Sequence, residues 1–195
     1  MVQDINANGA VYVQSHLGGG TEQFRYAYKD ATKWSRIRCS VILNTVIDDV
    51  SRNTTAPYQG AGLVAVDAET GGMIAFVLEG RPTGAIAAPK GNAVLSVQKW
   101  TSASNWSSNL HTKAIKATGP VILELRRAND QTIFSWSTTD GEMITLDYIL
   151  NNVTEGTPHI NANRLGFGYY HTSNTAGVAQ ENAASFDWVE HAPLT

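Results

Sequence analysis

The chain has a single cysteine among 195 residues, so no disulfide framework and no cysteine-based metal cluster can be built from it. Charge is scarce: Asp, Glu, Lys and Arg make up 16%, the formal net charge is −3, and no run of Lys or Arg occurs. Binding to nucleic acid by phosphate neutralisation has no footing in such a sequence. No apolar run approaches membrane-spanning length, so no membrane insertion is expected. The first residues, Met1-Val2-Gln3-Asp4, lack the basic and apolar regions of a signal peptide. Long helical periodicity is missing as well.

Short strand-like runs with alternating apolar residues fill the space instead. They fall at 10–14, 23–28, 34–47, 61–67, 72–78, 93–100, 121–127, 132–137, 143–148, 164–170 and 184–190. Phe24, Tyr26 and Tyr28 alternate onto one face. In the run 34–47, Ile37, Cys39, Val41 and Leu43 alternate with Arg36, Arg38 and Ser40, which makes Cys39 a small buried hydrophobe. Trp34, Trp136 and Trp188 lie in strand patterns and read as core. Ala68-Glu69-Thr70-Gly71 joins two runs as a hairpin connection. The three runs between 121 and 148 are separated by Ala128-Asn129-Asp130 and Thr139-Asp140-Gly141, which predicts an antiparallel meander. The Ser/Asn/Thr-rich stretch 101–119 reads as a long surface loop. About eleven short strands with frequent turns predict an all-β, two-sheet antiparallel jelly-roll sandwich, with residues 1–195 as one domain.

Four patterns resemble the concanavalin A-like lectin/glucanase superfamily, in particular its DUF1349 and laminin-G-like branch. Tyr58-Gln59-Gly60-Ala61-Gly62-Leu63-Val64 is similar to a Q-x-G-L strand. Leu123-Glu124-Leu125-Arg126-Arg127, followed by Phe134-Ser135-Trp136-Ser137 and Asp140-Gly141, is similar to an L-R-I-x-R … F-x-x-S-x-D-G hairpin. Leu165-Gly166-Phe167-Gly168 and Ala184-Ser185-Phe186-Asp187-Trp188-Val189 resemble the two closing strands. The resemblance implies a concanavalin A-like sandwich. It does not fix function, because such folds host lectins, glycanases and structural modules alike. In the glucanase branch the resembling F-D-x-V strand gives an aspartate to a structural calcium, which implies Asp187 as an oxygen ligand here.

Glycanases of this fold carry closely spaced acids of the E-x-D-x-x-E type, because one carboxyl protonates the leaving oxygen while another attacks or activates water. That motif is missing. Asp48-Asp49 and Glu181 are not spaced to face one cleft from one strand. Arg126, Arg127, His159, Tyr169 and His171 form no recognisable lyase motif, and the five histidines have no zinc-ligand spacing. The expectation is therefore that the chain is not an enzyme.

Sugar rings are recognised by aromatic faces flanked by hydrogen-bonding groups. Trp100, Trp106, Tyr169, Tyr170 and His171 are the candidates, Trp106 foremost because Ser104-Asn105-Trp106-Ser107-Ser108-Asn109 sets a large ring in a polar stretch. Folding of Trp106 back over the sandwich edge is the competing reading. The function expected is a non-catalytic, lectin-like, carbohydrate-binding module, acting extracellularly or on a virion without a signal peptide, as in a bacteriophage surface component contacting host glycans. A purely structural virion protein that docks neighbouring virion proteins is the alternative, and a glycan-active hydrolase or lyase with an unrecognised site is the second. An edge strand at 10–14 offers a place for a homo-oligomer to form by strand pairing.

Overall fold

The computed structural model describes residues 11–15, 23–43, 59–80, 92–117, 119–129, 131–138, 142–150, 160–171 and 182–194. Among these lie twelve strands: β1 (Val11–Ser15), β2 (Gln23–Asp30), β3 (Trp34–Leu43), β4 (Gln59–Val66), β5 (Met73–Gly80), β6 (Asn92–Ser102), β7 (Asn105–Lys116), β8 (Val121–Ala128), β9 (Gln131–Ser137), β10 (Ile144–Leu150), β11 (Arg164–His171) and β12 (Asn182–Pro193). They form two six-stranded antiparallel sheets, ordered β1-β12-β3-β8-β9-β10 and β2-β11-β4-β5-β6-β7. The all-β two-sheet sandwich expected from the alternation is what the chain forms.

Alternation fixes which side chains meet between the sheets. Ile37, Cys39 and Val41 of β3 point inward beside Leu123 and Leu125 of β8, and face Leu63, Phe76 and Val97 of the second sheet. Edge-on aromatic pairs tie the layers together, Phe76 with Phe134 at 5.5 Å and Phe167 with Phe186 at 5.1 Å between ring centroids. Cys39 is fully enclosed, and burial pushes its thiol well above its ordinary pKa, so it stays a protonated small hydrophobe.

β4 and β5 are buried on both faces. Leu63, Ala65, Ile74 and Phe76 join the core between the sheets, while Val64, Val66, Met73, Ala75 and Val77 join a second cluster on the outer side. Two-sided burial is why these strands read as nearly continuous apolar runs. Their hairpin closes as predicted. The Asp67 carboxylate accepts from the Glu69 and Thr70 amides at 2.9 and 3.3 Å, Gly71 N–H donates to the Asp67 carbonyl, and Gly71 takes a φ of 75°. The meander of β8, β9 and β10 is present too, and Asn129 turns its first corner at a φ of 53°, a region Asn tolerates.

Two local expectations fail. The stretch 101–119 is no loop: β7 occupies 105–116 at the sheet edge, where among the described residues it pairs with β6 alone. An edge strand hydrogen-bonds on one side and buries little, so polar Ser, Asn and Thr serve it; Ile115 is the one buried side chain of β7, with Leu110 partly buried against the core. Trp34 is not core either, being 54% exposed at the start of β3. Its neighbour Ser35 faces inward, so alternation sends the indole outward. Trp136 does pack against the core, and Trp188 is half-buried. The last part of the predicted run 34–47, the turn Thr139-Asp140-Gly141, Asp48-Asp49, His16 and His159 lie outside the described residues. The edge expected at 10–14 is β1, which among the described residues pairs with β12 alone.

Candidate functional site

The outer face of the β2–β7 sheet is where chemistry gathers. Alternation along β2 puts Phe24, Tyr26 and Tyr28 on it, as expected, and along β11 it puts Tyr170 there, directly opposite Phe24. Tyr170 pairs in turn with Gly60 of β4, and Gly60 with Glu79 of β5. The Phe24 and Tyr170 rings stack at 5.8 Å, and the Trp100 indole meets both edge-on at 5.6 and 5.3 Å. These rings surround four polar groups that would be costly to bury unpaired.

The polar groups satisfy one another. Trp100 Nε1 donates to Gln98 Oε1 at 3.0 Å. Gln98 Nε2 donates to Tyr170 Oη at 2.8 Å and to Glu79 Oε1. The Tyr170 hydroxyl donates to the same Glu79 oxygen. A carboxylate, a phenol and an amide are thus joined with a proton between each pair. All four side chains are buried, and the tip of the β6–β7 hairpin covers their aromatic wall: Phe24 N–H donates to the Ala103 carbonyl at 2.7 Å, and Ala103 packs on the cluster.

Outward along β2 the face becomes wet. Tyr26 is half-buried, and its phenol is pushed up by burial and by Tyr28, with Arg164 pulling the other way. Tyr28 is 46% exposed, with the Arg164 guanidinium 4.4 Å from its ring centroid and bridged to Asp30 at 3.2 Å. This end presents an aromatic face and a cation to solvent.

The sequence candidates divide. Trp100 and Tyr170 come together in the buried cluster. Tyr169 alternates to the opposite side and packs in the core between the sheets. Trp106, the second residue of β7, stands opposite Trp100 and is 42% exposed, so its ring remains open to solvent in part. His171 ends β11; its side chain lies outside the described residues. Asp187 lies on the other sheet, exposed, as the extra residue of a bulge between Phe186 and Trp188 of β12. Among the described residues no three His, Cys, Asp or Glu side chains gather as a metal site. Sequence reading missed Glu79 and Gln98. The available signal was a carboxylate closing an apolar strand, Met73 to Leu78, and an amide inside Val94–Trp100.

No family model matches the chain, and no curated protein does. Solved structures do. A glycoside hydrolase family 43 protein from Bacillus licheniformis, BlXynB in a mutant form, is 12% identical with a TM-score of 0.58 over 97% of this chain and 34% of its own. A structure from work on endo-acting O-glycanases of the human gut microbiota that initiate mucin breakdown is 13% identical, TM-score 0.58, over 97% of this chain and 81% of its own. Alginate lyase A1-II′, of polysaccharide lyase family 7, is 9% identical, TM-score 0.56, over 97% and 82%. The chain spans about a third of the family 43 protein and more than four-fifths of the other two. At such identities the likeness shows the fold alone: a two-sheet antiparallel sandwich of a kind these carbohydrate-active proteins also contain.

These neighbours overturn the expectation of a non-catalytic lectin-like module, of a virion or bacteriophage structural protein, and of a chain that is not an enzyme. They are hydrolases and a lyase, which favours the second alternative read from the sequence. The missing E-x-D-x-x-E pattern excludes one strand-borne arrangement only, since groups contributed by separate strands leave no local motif. Among the described residues no helix is long and apolar enough to cross a membrane.

Proposed function

We propose that this protein is a glycan-active enzyme that cleaves uronate-containing polysaccharide by elimination, on the outer face of the β2–β7 sheet. The hydrogen bond between Tyr170 and Glu79 carries this reading. Glu79 takes the proton next to the sugar carboxyl, the bond to the leaving oxygen breaks as a ring double bond forms, and Tyr170 protonates that oxygen. Glu79 then holds one extra proton and Tyr170 lacks one, and their direct hydrogen bond returns it. Gln98 holds both groups in place.

Carboxylate spacing favours elimination over hydrolysis. Among the described residues of this face the other carboxylate is Asp30, which pairs with Arg164, six positions along β11 from Tyr170. That is ~20 Å along the strand, whereas a hydrolytic pair stands about 5–10 Å apart. Access requires the cover of Phe24 and Ala103 to part, which costs one backbone hydrogen bond and the contacts of Phe24. Trp106 and Tyr28 supply stacking faces on either flank, with His171 beside Tyr170 in sequence. The site test is the ultraviolet absorbance of an unsaturated product, set against reducing-sugar release, for the natural chain and Tyr170→Phe.

Three further readings belong to this proposal. The sandwich is of the concanavalin A-like, jelly-roll kind, supported by the order of the four sequence patterns, and residues 1–195 form one domain. Its place of action is extracellular, where polymeric glycan occurs. Asp187 holds a structural calcium: an exposed carboxylate and the ladder-free backbone of its bulge are oxygen donors of the kind calcium takes. No step of the cleavage runs through that ion.

A further inference from the structure

The opposite side of the sandwich carries a second feature, on the outer face of the β1–β10 sheet. Alternation places Trp34, Arg36 and Arg38 of β3 on that face, beside Glu124, Arg126 and Ala128 of β8 and Glu190 of β12. Among the described residues this face has three guanidiniums, Arg36, Arg38 and Arg126, against the carboxylates Glu124, Glu190 and, in the bulge of β12, Asp187.

The pairing within it is uneven. Arg36 Nη2 holds Glu190 Oε1 at 2.7 Å, and Arg38 Nε lies 3.5 Å from Glu124 Oε2. Arg126 stands directly opposite Arg36, and its Nε, like that of Arg38, is buried without a hydrogen-bond partner. Directly opposed residues of an antiparallel pair have Cβ atoms ~5 Å apart, and like charges there repel. A buried donor left unpaired is a further cost. An anion seated between the two guanidiniums relieves both.

Trp34 supplies the other half of a site. It precedes Arg36 by two residues on the same face, ~7 Å along the strand, and is 54% exposed. Ala128, directly opposite, leaves the indole uncovered, and exposed Gln131 follows in the same row. An open aromatic face beside a fork of N–H donors matches a sugar ring with an anionic substituent.

We infer that this face is a second glycan-binding site, which takes a sugar bearing a carboxylate or sulfate group. The ring stacks on Trp34, the anion bridges Arg36 and Arg126, and Gln131 bonds a hydroxyl. Glu79 and Tyr170 lie on the other sheet's outer face, so this site holds polymer without cleaving it, and it stands whether or not the chain eliminates.

Calorimetric titration of the full chain with three oligosaccharides of equal length, one of uronate, one sulfated and one neutral, tests it. The expected result is salt-sensitive binding of a charged oligosaccharide, weakened at least tenfold by Trp34→Ala and by Arg126→Gln. Preference between the uronate and sulfated probes identifies the anion. Melting curves of both variants guard against misfolding, and Trp34, being exposed, can be truncated without opening the core. Binding indifferent to both variants, equal binding of the neutral probe, or no binding of any probe overturns the inference. Loss of product in an assay that keeps Trp34-dependent binding would instead count against the cleavage reading alone.

Discussion

Gly60 and Tyr170 face each other across β4 and β11, and the tyrosine ring lies where a side chain at position 60 would stand: a Cβ built on Gly60 meets Tyr170 Cε1 at 2.3 Å. The missing side chain is what lets the phenol lie flat across the sheet and reach Glu79. Gly60→Ala is expected to destabilise the fold by ~1–3 kcal/mol, as overpacking does, and to pull the hydroxyl off Glu79. In a Tyr170→Ala background the same change should cost much less. Chemical denaturation of the four proteins of this double-mutant cycle measures the coupling. Additive effects would show that the ring does not press on Gly60.

Acid should expose the β4–β5 hairpin. Burial acts to raise the Asp67 pKa, but hydrogen bonds from the Glu69 amide and from the Thr70 hydroxyl and amide, with one from the Asn161 backbone, outweigh it and leave the carboxyl below its ordinary value. A depressed folded-state pKa stabilises above the unfolded value of about 3.9, and that contribution is lost as pH falls through the folded value. Asp67→Asn should therefore lower stability by ~1–3 kcal/mol at pH 7. The gap to the natural chain should narrow in acid. Melting curves over a pH series read this directly, and a gap that stays constant would refute it.

Trp106 is the exposed ring of the β6–β7 hairpin, and its truncation should act on binding more than on chemistry. Loss of stacking worth ~0.5–1.5 kcal/mol corresponds to a KM about two- to thirteenfold higher. The kcat should hold. Steady-state kinetics on a polymeric substrate separates the two, and a fall in kcat at constant KM would place Trp106 elsewhere in the reaction.

Calcium at Asp187 predicts a melting shift. Free ion at a hundredfold excess over its Kd adds ~2.7 kcal/mol to stability, so chelator should lower the Tm of the natural chain and leave Asp187→Asn unmoved. A Tm indifferent to chelator removes the ion from the account.

Most of the fold was legible because burial here follows alternation. Ile37, Cys39 and Val41 announce an inward face by their spacing with charged neighbours, and the turns at Asp67–Gly72 and Asn129 carry residues suited to their backbone geometry. β7 was illegible because an edge strand has no need of apolar side chains on either face. Trp34 misled for a related reason, since an aromatic in a strand pattern is assigned to the core by type, while its inward neighbour Ser35 had already set the phase. The site was half legible. Trp100 and Tyr170 were found as aromatics, but Glu79 and Gln98 meet them only through strand pairings that sequence spacing does not reveal.

The central claim is that Tyr170 and Glu79 cleave glycan by elimination. Its most direct test is ultraviolet absorbance of the unsaturated product when the full chain is incubated with a uronate polysaccharide, alongside Tyr170→Phe and Glu79→Gln. Absorbance should rise with the natural chain and be reduced about 10²–10⁴-fold by either variant, with both still folded by circular dichroism. No absorbance from any uronate polymer, or equal rates in the folded variants, would contradict it.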